Sequence, residues 1–156
     1  MKRVAIIGVT GAVGQEFLLA LNKSKVKYVL VGGYSVIYHG FPRTTGDLDI
    51  FVEVSPENYH CLKNAFELFN MPLFDMTEEN FLNNKNMTVF SFGRAPVSIE
   101  ILKEISGIGF ADVYAKAIDA VMEDISLKII NLFDLKRNKK ASGRAKDIND
   151  LENLKD

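Results

Sequence analysis

Asp47 and Asp49 are the residues of this sequence whose type and spacing are best suited to chemistry; they stand one residue apart in GDLDI. On an extended strand alternate side chains point to one face, so both carboxylates face the same way while Leu48 and Ile50 point into a core. Two adjacent carboxylates repel each other and favour a hard divalent cation between them. Mg²⁺ or Mn²⁺ held by carboxylates and substrate phosphates is typical of enzymes that transfer nucleotides. An acidic strand edge beside a turn is the alternative interpretation.

A glycine pair, Gly32-Gly33, follows an apolar run, and thirteen residues separate it from Asp47. Without side chains, this backbone can approach a triphosphate closely and donate N–H groups to it. A plain tight turn is the alternative. Polar side chains between the glycines and the acids are further candidates for phosphate contact, with surface solvation as their alternative: Ser35, Arg43 and Thr45.

The stretch from residue 31 to residue 50 resembles the signature of the polymerase-beta-type nucleotidyltransferase superfamily. That signature has a hydrophobic residue, Gly, Gly or Ser, a spacer, and then Asp-x-Asp between hydrophobic residues. A third acid flanked by hydrophobic residues follows on a later strand, and SIEIL supplies Glu100 there in place of the more common Asp. Together with KKASGRAKDINDLENL near the C-terminus, the pattern is similar to AbiE-type toxins and other minimal nucleotidyltransferases. The resemblance covers residues 18–156.

The resemblance implies a nucleotidyltransferase fold that transfers NMP from an NTP to an acceptor hydroxyl. It implies that Asp47, Asp49 and Glu100 bind Mg²⁺ or Mn²⁺, with Glu100 as general base or as the last ligand of the metal. The implied acceptor is tRNA or a co-encoded partner protein in a toxin–antitoxin setting, with no recognition of a DNA sequence. Contacts to the triphosphate or the acceptor are implied for three basic residues: Lys140, Arg144 and Lys146.

Two other functions remain open. One is a non-catalytic nucleotide-binding or partner-binding module of the same fold. The other is NAD(P) binding, because Gly8, Gly11 and Gly14 follow a strand-like run and precede a helix-like one. Residues 3–17 resemble the N-terminus of semialdehyde dehydrogenases, which makes 1–17 an atypical segment. A dinucleotide site also needs an acid about twenty residues further on, and here the second strand ends in glycines.

Composition limits the class of protein. With 156 residues and a net charge of −1, the chain predicts a single domain over 1–156, without an overall field that attracts nucleic acid. Basic residues are nevertheless crowded between 136 and 146. A single Cys61 excludes an intramolecular disulfide and, with no stretch of membrane-spanning length, favours a cytoplasmic protein that does not associate with membranes.

The elements that would position these residues follow from hydrophobic periodicity and turn signals. Roughly five strands are predicted, in addition to a short apolar run at 4–8: 26–31, 48–54, 88–92, 97–102 and 125–130. Helices are predicted between them: 15–21, 34–39, 56–69, 77–82, 110–120, 131–140 and 147–154. This mixed order predicts an α+β or α/β domain, with a mixed sheet of about five strands flanked by helices.

Overall fold

The structure is a computed structural model, and it describes residues 3–4, 11–94 and 97–155. A two-residue strand, β1 (Arg3–Val4), precedes six longer strands: β2 (Tyr28–Val31), β3 (Asp47–Val52), β4 (Val89–Arg94), β5 (Val97–Leu102), β6 (Ile118–Met122) and β7 (Ile125–Ile129). They form one open sheet in the order β1-β6-β7-β2-β3-β5-β4. The sheet is mixed, since β2 pairs antiparallel with β3 while β3 pairs parallel with β5.

Seven helices occur within the described residues: α1 (Gly11–Lys23), α2 (Gly32–Tyr38), α3 (Pro56–Leu68), α4 (Glu78–Leu82), α5 (Phe110–Ala115), α6 (Leu132–Ser142) and α7 (Ala145–Asn153). The predicted start of α3 is confirmed. Ser55 Oγ accepts a hydrogen bond of 3.1 Å from the Asn58 N–H, and Pro56 occupies the first helical position. None of the helices in the described ranges is both long and apolar enough to cross a membrane.

Helices α1 and α3 pack on the side of the sheet opposite the two aspartates. The Phe17 ring of α1 lies edge-on to Phe66 and Phe69, with centroids 5.5 Å and 5.2 Å away. Leu48 of β3 lines a small cavity together with Leu18 of α1. Because side chains alternate along a strand, Asp47 and Asp49 lie on the other face.

The mixed sheet of the prediction is confirmed, but the count of about five strands is wrong. The helix predicted over 110–120 ends at residue 115, and β6 follows it. β6 pairs antiparallel with β7 across a two-residue turn in which Glu123 and Asp124 have φ values of 51° and 67°. Positive φ at both positions matches the twist of the flanking strands, and the resulting pairing outweighs the helix propensity of the alanines before it.

The N-terminal glycine motif is only partly described. Gly8 and the predicted strand at 4–8, apart from residue 4, lie outside the described residues. Gly11 and Gly14 lie in the first turn of α1. The segment Gly93-Arg94-Ala95-Pro96, whose composition predicts a turn between the strands at 88–92 and 97–102, includes residues 95 and 96, which are not described.

Candidate functional site

The three predicted acids lie on adjacent parallel strands. The register of β3 and β5 sets Asp49 beside Glu100 and Asp47 beside Ser98. Ser98 Oγ lies 2.6 Å from Asp47 Oδ1 and 3.2 Å from Glu100 Oε1, and its one hydrogen can be donated to one of them at a time. Ser91 of β4 donates a hydrogen bond to the other oxygen of Glu100. Two serine hydroxyls therefore help to orient the side chains of Asp47 and Glu100.

Gly32 stands directly against Asp49 at the end of β2. Its φ is +70°, a conformation that favours glycine, and a Cβ at this position would lie 2.0 Å from Asp49 Oδ2. The antiparallel pairing of β2 and β3 causes this closeness, because it sets Val31 beside Asp49. The glycine that the sequence predicts for phosphate approach thus also makes room for the carboxylate.

Among the acids of the site, Asp49 has the most strongly shifted pKa. Burial and, to a smaller extent, the neighbouring carboxylates Asp47 and Glu100 together raise its pKa from 3.8 to about 7, while Lys146 and Lys139 oppose the shift. The carboxylate form is disfavoured because it is half-buried beside other negative charges. A positive charge placed here, either a proton or a cation, therefore stabilises the site.

The acids do not form a complete metal site by themselves. Across the described ranges, no group of three or more His, Cys, Asp and Glu side chains could hold a metal ion. Mg²⁺ is commonly bound by one or two carboxylates together with substrate phosphates. The raised pKa of Asp49 fits such a partial site on Asp47 and Asp49, to which phosphates would add the remaining ligands.

A cleft of about 550 Å³ joins the acids to a basic wall. Acidic side chains contribute one part of its lining: Asp47, Asp49, Glu100 and Glu104. Basic side chains from α6, α7 and the link between them contribute another: Lys139, Arg144 and Lys146. Such a division of charge suits a ligand that carries both a cation and phosphates.

A buried ion-pair network fixes the basic wall. Lys139 Nζ, on a side chain only 3% exposed, lies 3.0 Å from both Asp147 Oδ1 and Asp150 Oδ2. Arg144 Nε donates to Asp147 Oδ2 at 2.8 Å, while the rest of its side chain is largely exposed. Burial on its own raises the pKa of Asp147, but hydrogen bonds from Arg144, Ser142 and Lys139 outweigh burial and hold the pKa well below its usual range.

Five of the predicted phosphate contacts lie outside the set of described residues that line the cleft. Ser35 is buried, and its hydroxyl donates to the Gly32 carbonyl at 2.6 Å. The Arg43 guanidinium is paired with Asp150, with Nε 2.9 Å from Oδ1. The other three are Gly33, the Thr45 side chain that packs against it, and the exposed Lys140.

Sequence reasoning missed Lys139 in favour of its neighbour Lys140. The relevant signal is helical spacing, since Lys139 follows the buried Leu135 by four residues and lies on the same face of α6. Lys140 lies about a hundred degrees further round the helix and is exposed. Ser98 was missed as well, although it precedes Glu100 by two residues and so shares its face.

Comparison with models of known protein families and with curated proteins finds no match to this chain. The molecule is thus defined by its own geometry, as a mixed α+β domain with a cleft that is acidic on its strands and basic on its helices. The nucleotidyltransferase fold and family remain predictions from the residue pattern.

We expect Asp49→Asn to stabilise the ligand-free protein more strongly as the pH rises. The carboxyl titrates near 3.8 in the unfolded chain and near 7 in the folded protein, so between these values the folded state holds a proton that the unfolded state has released. Stability of the parent therefore falls as the pH rises through this window. Asparagine has no proton to lose, so the Tm difference between variant and parent should grow from about pH 4 to about pH 8.

The measurement is thermal unfolding across this pH range, with Asp75→Asn as the control for an exposed aspartate outside the cleft lining. A Tm difference that is the same at every pH would show that ionisation of Asp49 does not destabilise the folded protein.

Proposed function

We propose that this protein is a metal-dependent nucleotidyltransferase that moves NMP from an NTP to an acceptor hydroxyl. The observation that carries the proposal is the cleft in which Asp47, Asp49 and Glu100 share a lining with Lys139, Arg144 and Lys146. Carboxylates and cations in one cleft suit a ligand made of a divalent cation and a polyphosphate. The residue pattern of the nucleotidyltransferase superfamily agrees with this chemistry.

Each wall has a distinct role in the proposed reaction. A divalent cation on Asp47 and Asp49, Mg²⁺ or Mn²⁺, would neutralise charge on the phosphates. Arg144 and Lys146 bind phosphate oxygens and stabilise the departing pyrophosphate. Gly32 lines the cleft and leaves space for the Asp49 carboxylate.

Glu100 takes the proton in the proposed reaction. The acceptor hydroxyl gives its proton to the Glu100 carboxylate as its oxygen attacks the α-phosphorus, and the bond to pyrophosphate breaks. The position of Glu100 beside Asp49 supports this role, because it brings the base to the acids that would bind the cation. Ser91 and Ser98 hydrogen-bond to Glu100 and orient it.

An anionic acceptor such as tRNA fits the surface next to the basic wall. The exposed face of α6 carries Arg137 and Lys140, and Phe133 on the same helix is 74% exposed. Cations with an exposed aromatic ring suit a nucleic-acid strand, whose phosphates and bases they contact. A co-encoded partner protein, in a toxin–antitoxin pair, is the alternative acceptor.

Coupled binding of metal and nucleotide tests the proposal. We expect Mg²⁺ with an NTP to raise the Tm well above the effect of either alone, because phosphates supply part of the coordination and a ligand stabilises the state that it binds. The double variant Asp47→Asn/Asp49→Asn should lose this extra shift. The comparison uses the ligand-induced shift of each protein, since the substitutions change the baseline stability as well.

The matched control is Asp75→Asn/Asp112→Asn, which removes two exposed aspartates that do not line the cleft. This control should keep the parental shift. A Mg·NTP shift that survives in Asp47→Asn/Asp49→Asn would show that the aspartates do not bind the metal.

Pyrophosphate release and a thermal shift with NAD or NADP separate the other functions. A non-catalytic binding module would bind Mg·NTP without releasing pyrophosphate, and the absence of a three-carboxylate metal group among the described residues favours that alternative. A shift with NAD or NADP, lost in Gly8→Ala/Gly11→Ala, would favour the dinucleotide function instead.

A further inference from the structure

The outward face of α1 combines apolar and charged side chains. Its opposite face is buried in the core through Phe17, Leu18 and Leu21. Leu19 is nevertheless 45% exposed, and Glu16 and Lys23 are exposed beside it. Single exposed leucines are ordinary, so Leu19 indicates a binding surface only in combination with the residues around it.

A groove of about 260 Å³ runs between α1 and the end of α3 next to Leu19. Helix α1 contributes Leu19, the charged Glu16 and Lys23 and, at the floor of the groove, the nearly buried Ala20, and the α3 side contributes Leu68 and Phe69. Leu68 is 61% exposed. An apolar groove with a charged rim is the usual form of a protein-binding surface.

We propose that this face binds a second copy of the same chain, related by a two-fold axis. In this dimer the two α1 helices pack antiparallel around a point between Leu19 and Ala20. Glu16 then lies opposite Lys23 of the partner subunit, and the same pair forms a second time by symmetry. Leu19 of each subunit enters the groove of the other, over the small side chain of Ala20 and against Leu68.

The spacing of the charged and apolar residues along α1 favours a second copy of the chain over another partner. Glu16 and Lys23 are seven residues apart, and the midpoint between them falls between Leu19 and Ala20. An antiparallel pair of identical helices centred there therefore matches unlike charges and matches a large side chain with a small one. The surface is thus complementary to itself.

The dimer leaves the cleft free. Helix α1 packs on the face of the sheet that carries Leu48, whereas Asp47 and Asp49 lie on the other face. Nucleotide chemistry and dimerisation are therefore separable by experiment.

Sedimentation velocity of the full chain, from about 1 to about 100 µM, tests the proposal, because the dissociation constant follows from the concentration dependence. We expect a dimer in the parent. Leu19→Asp should raise the dissociation constant by about a hundredfold or more, since it places a carboxylate in the apolar groove. Glu16→Lys or Lys23→Glu alone should raise it roughly tenfold, because each creates two like-charge pairs.

The double variant Glu16→Lys/Lys23→Glu should recover the parental dissociation constant, since it restores both unlike pairs with their signs exchanged. Phe133→Asp is the matched control, because Phe133 is an exposed apolar residue on α6 and should leave the dimer unchanged. Thermal unfolding of each variant confirms that the subunit itself remains folded.

A parent that is monomeric over the whole range overturns the proposal. So does a dimer that tolerates Leu19→Asp, or one that the charge exchange fails to restore. A monomeric parent that binds a different protein through Leu19 would assign this face to another partner and would equally contradict the homodimer.

Discussion

Glu100→Gln is expected to lower the rate of nucleotide transfer by about a hundredfold or more while leaving nucleotide binding nearly intact, which is the usual scale for losing a general base. Glutamine keeps the size of the side chain, and its oxygen can still accept a hydrogen bond from Ser91 or Ser98. It cannot accept the proton of the attacking hydroxyl. The measurement is pyrophosphate release and transfer of labelled nucleotide to total cell RNA or a co-encoded protein, with Mg·NTP as donor.

Glu104→Gln supplies the matched control, because Glu104 lines the same cleft from outside β5. The same chemical change at this position should leave the transfer rate within a few-fold of the parent. Equal rates for the parent and Glu100→Gln would remove Glu100 from the role of base. Absence of transfer with every NTP and acceptor, together with normal Mg·NTP binding, would favour the non-catalytic module.

Elements with strong local signals were predictable from the sequence. The acids of β3 illustrate this, because strict alternation with Leu48 and Ile50 fixes which side chains point into the core. Ser55 and Pro56 likewise fix the start of α3. In both cases a few neighbouring residues determine the local conformation.

Strand β6 could not be predicted in this way. Its residues follow α5 through an alanine-containing segment with good helix propensity, and Glu123-Asp124 is not a common turn sequence. What makes the segment a strand is its pairing with β7, a contact made only once the sheet forms.

The candidate site likewise combines features that the sequence predicts with features that depend on tertiary contacts. The sequence indicates Gly32 and the acids, because their spacing along the chain carries the pattern. It does not indicate that Arg43 is paired with Asp150, a residue more than a hundred positions away. Partners of this kind decide which cations remain available to a ligand, and only the packing of α7 reveals them.

Lys139→Met is expected to destabilise the protein by about 3–5 kcal/mol, the cost of removing one partner from a buried ion pair. Lys139 Nζ contacts both Asp147 and Asp150 at 3.0 Å, and these carboxylates are 0% and 1% exposed. Methionine fills similar space but leaves Asp147 with Arg144 and Ser142, and Asp150 with Arg43. Urea unfolding of parent and variant measures the change in the free energy of unfolding. The two proteins are compared with the same m-value, the slope of this free energy against urea concentration.

Lys140→Met makes the same substitution one residue further along α6, on an exposed side chain, and should change the free energy of unfolding by less than about 0.5 kcal/mol. The contrast between adjacent lysines therefore measures the buried network and not the general effect of losing a positive charge.

The low pKa of Asp147 adds a dependence on pH. Its ion pairing stabilises the folded state above the ordinary pKa of an aspartate, and this contribution is lost as the pH falls below that value. The difference between the two variants should accordingly be large at neutral pH and shrink in acid. Equal stabilities of Lys139→Met and Lys140→Met at neutral pH would mean that α7 is held over the cleft by its apolar contacts and not by this network.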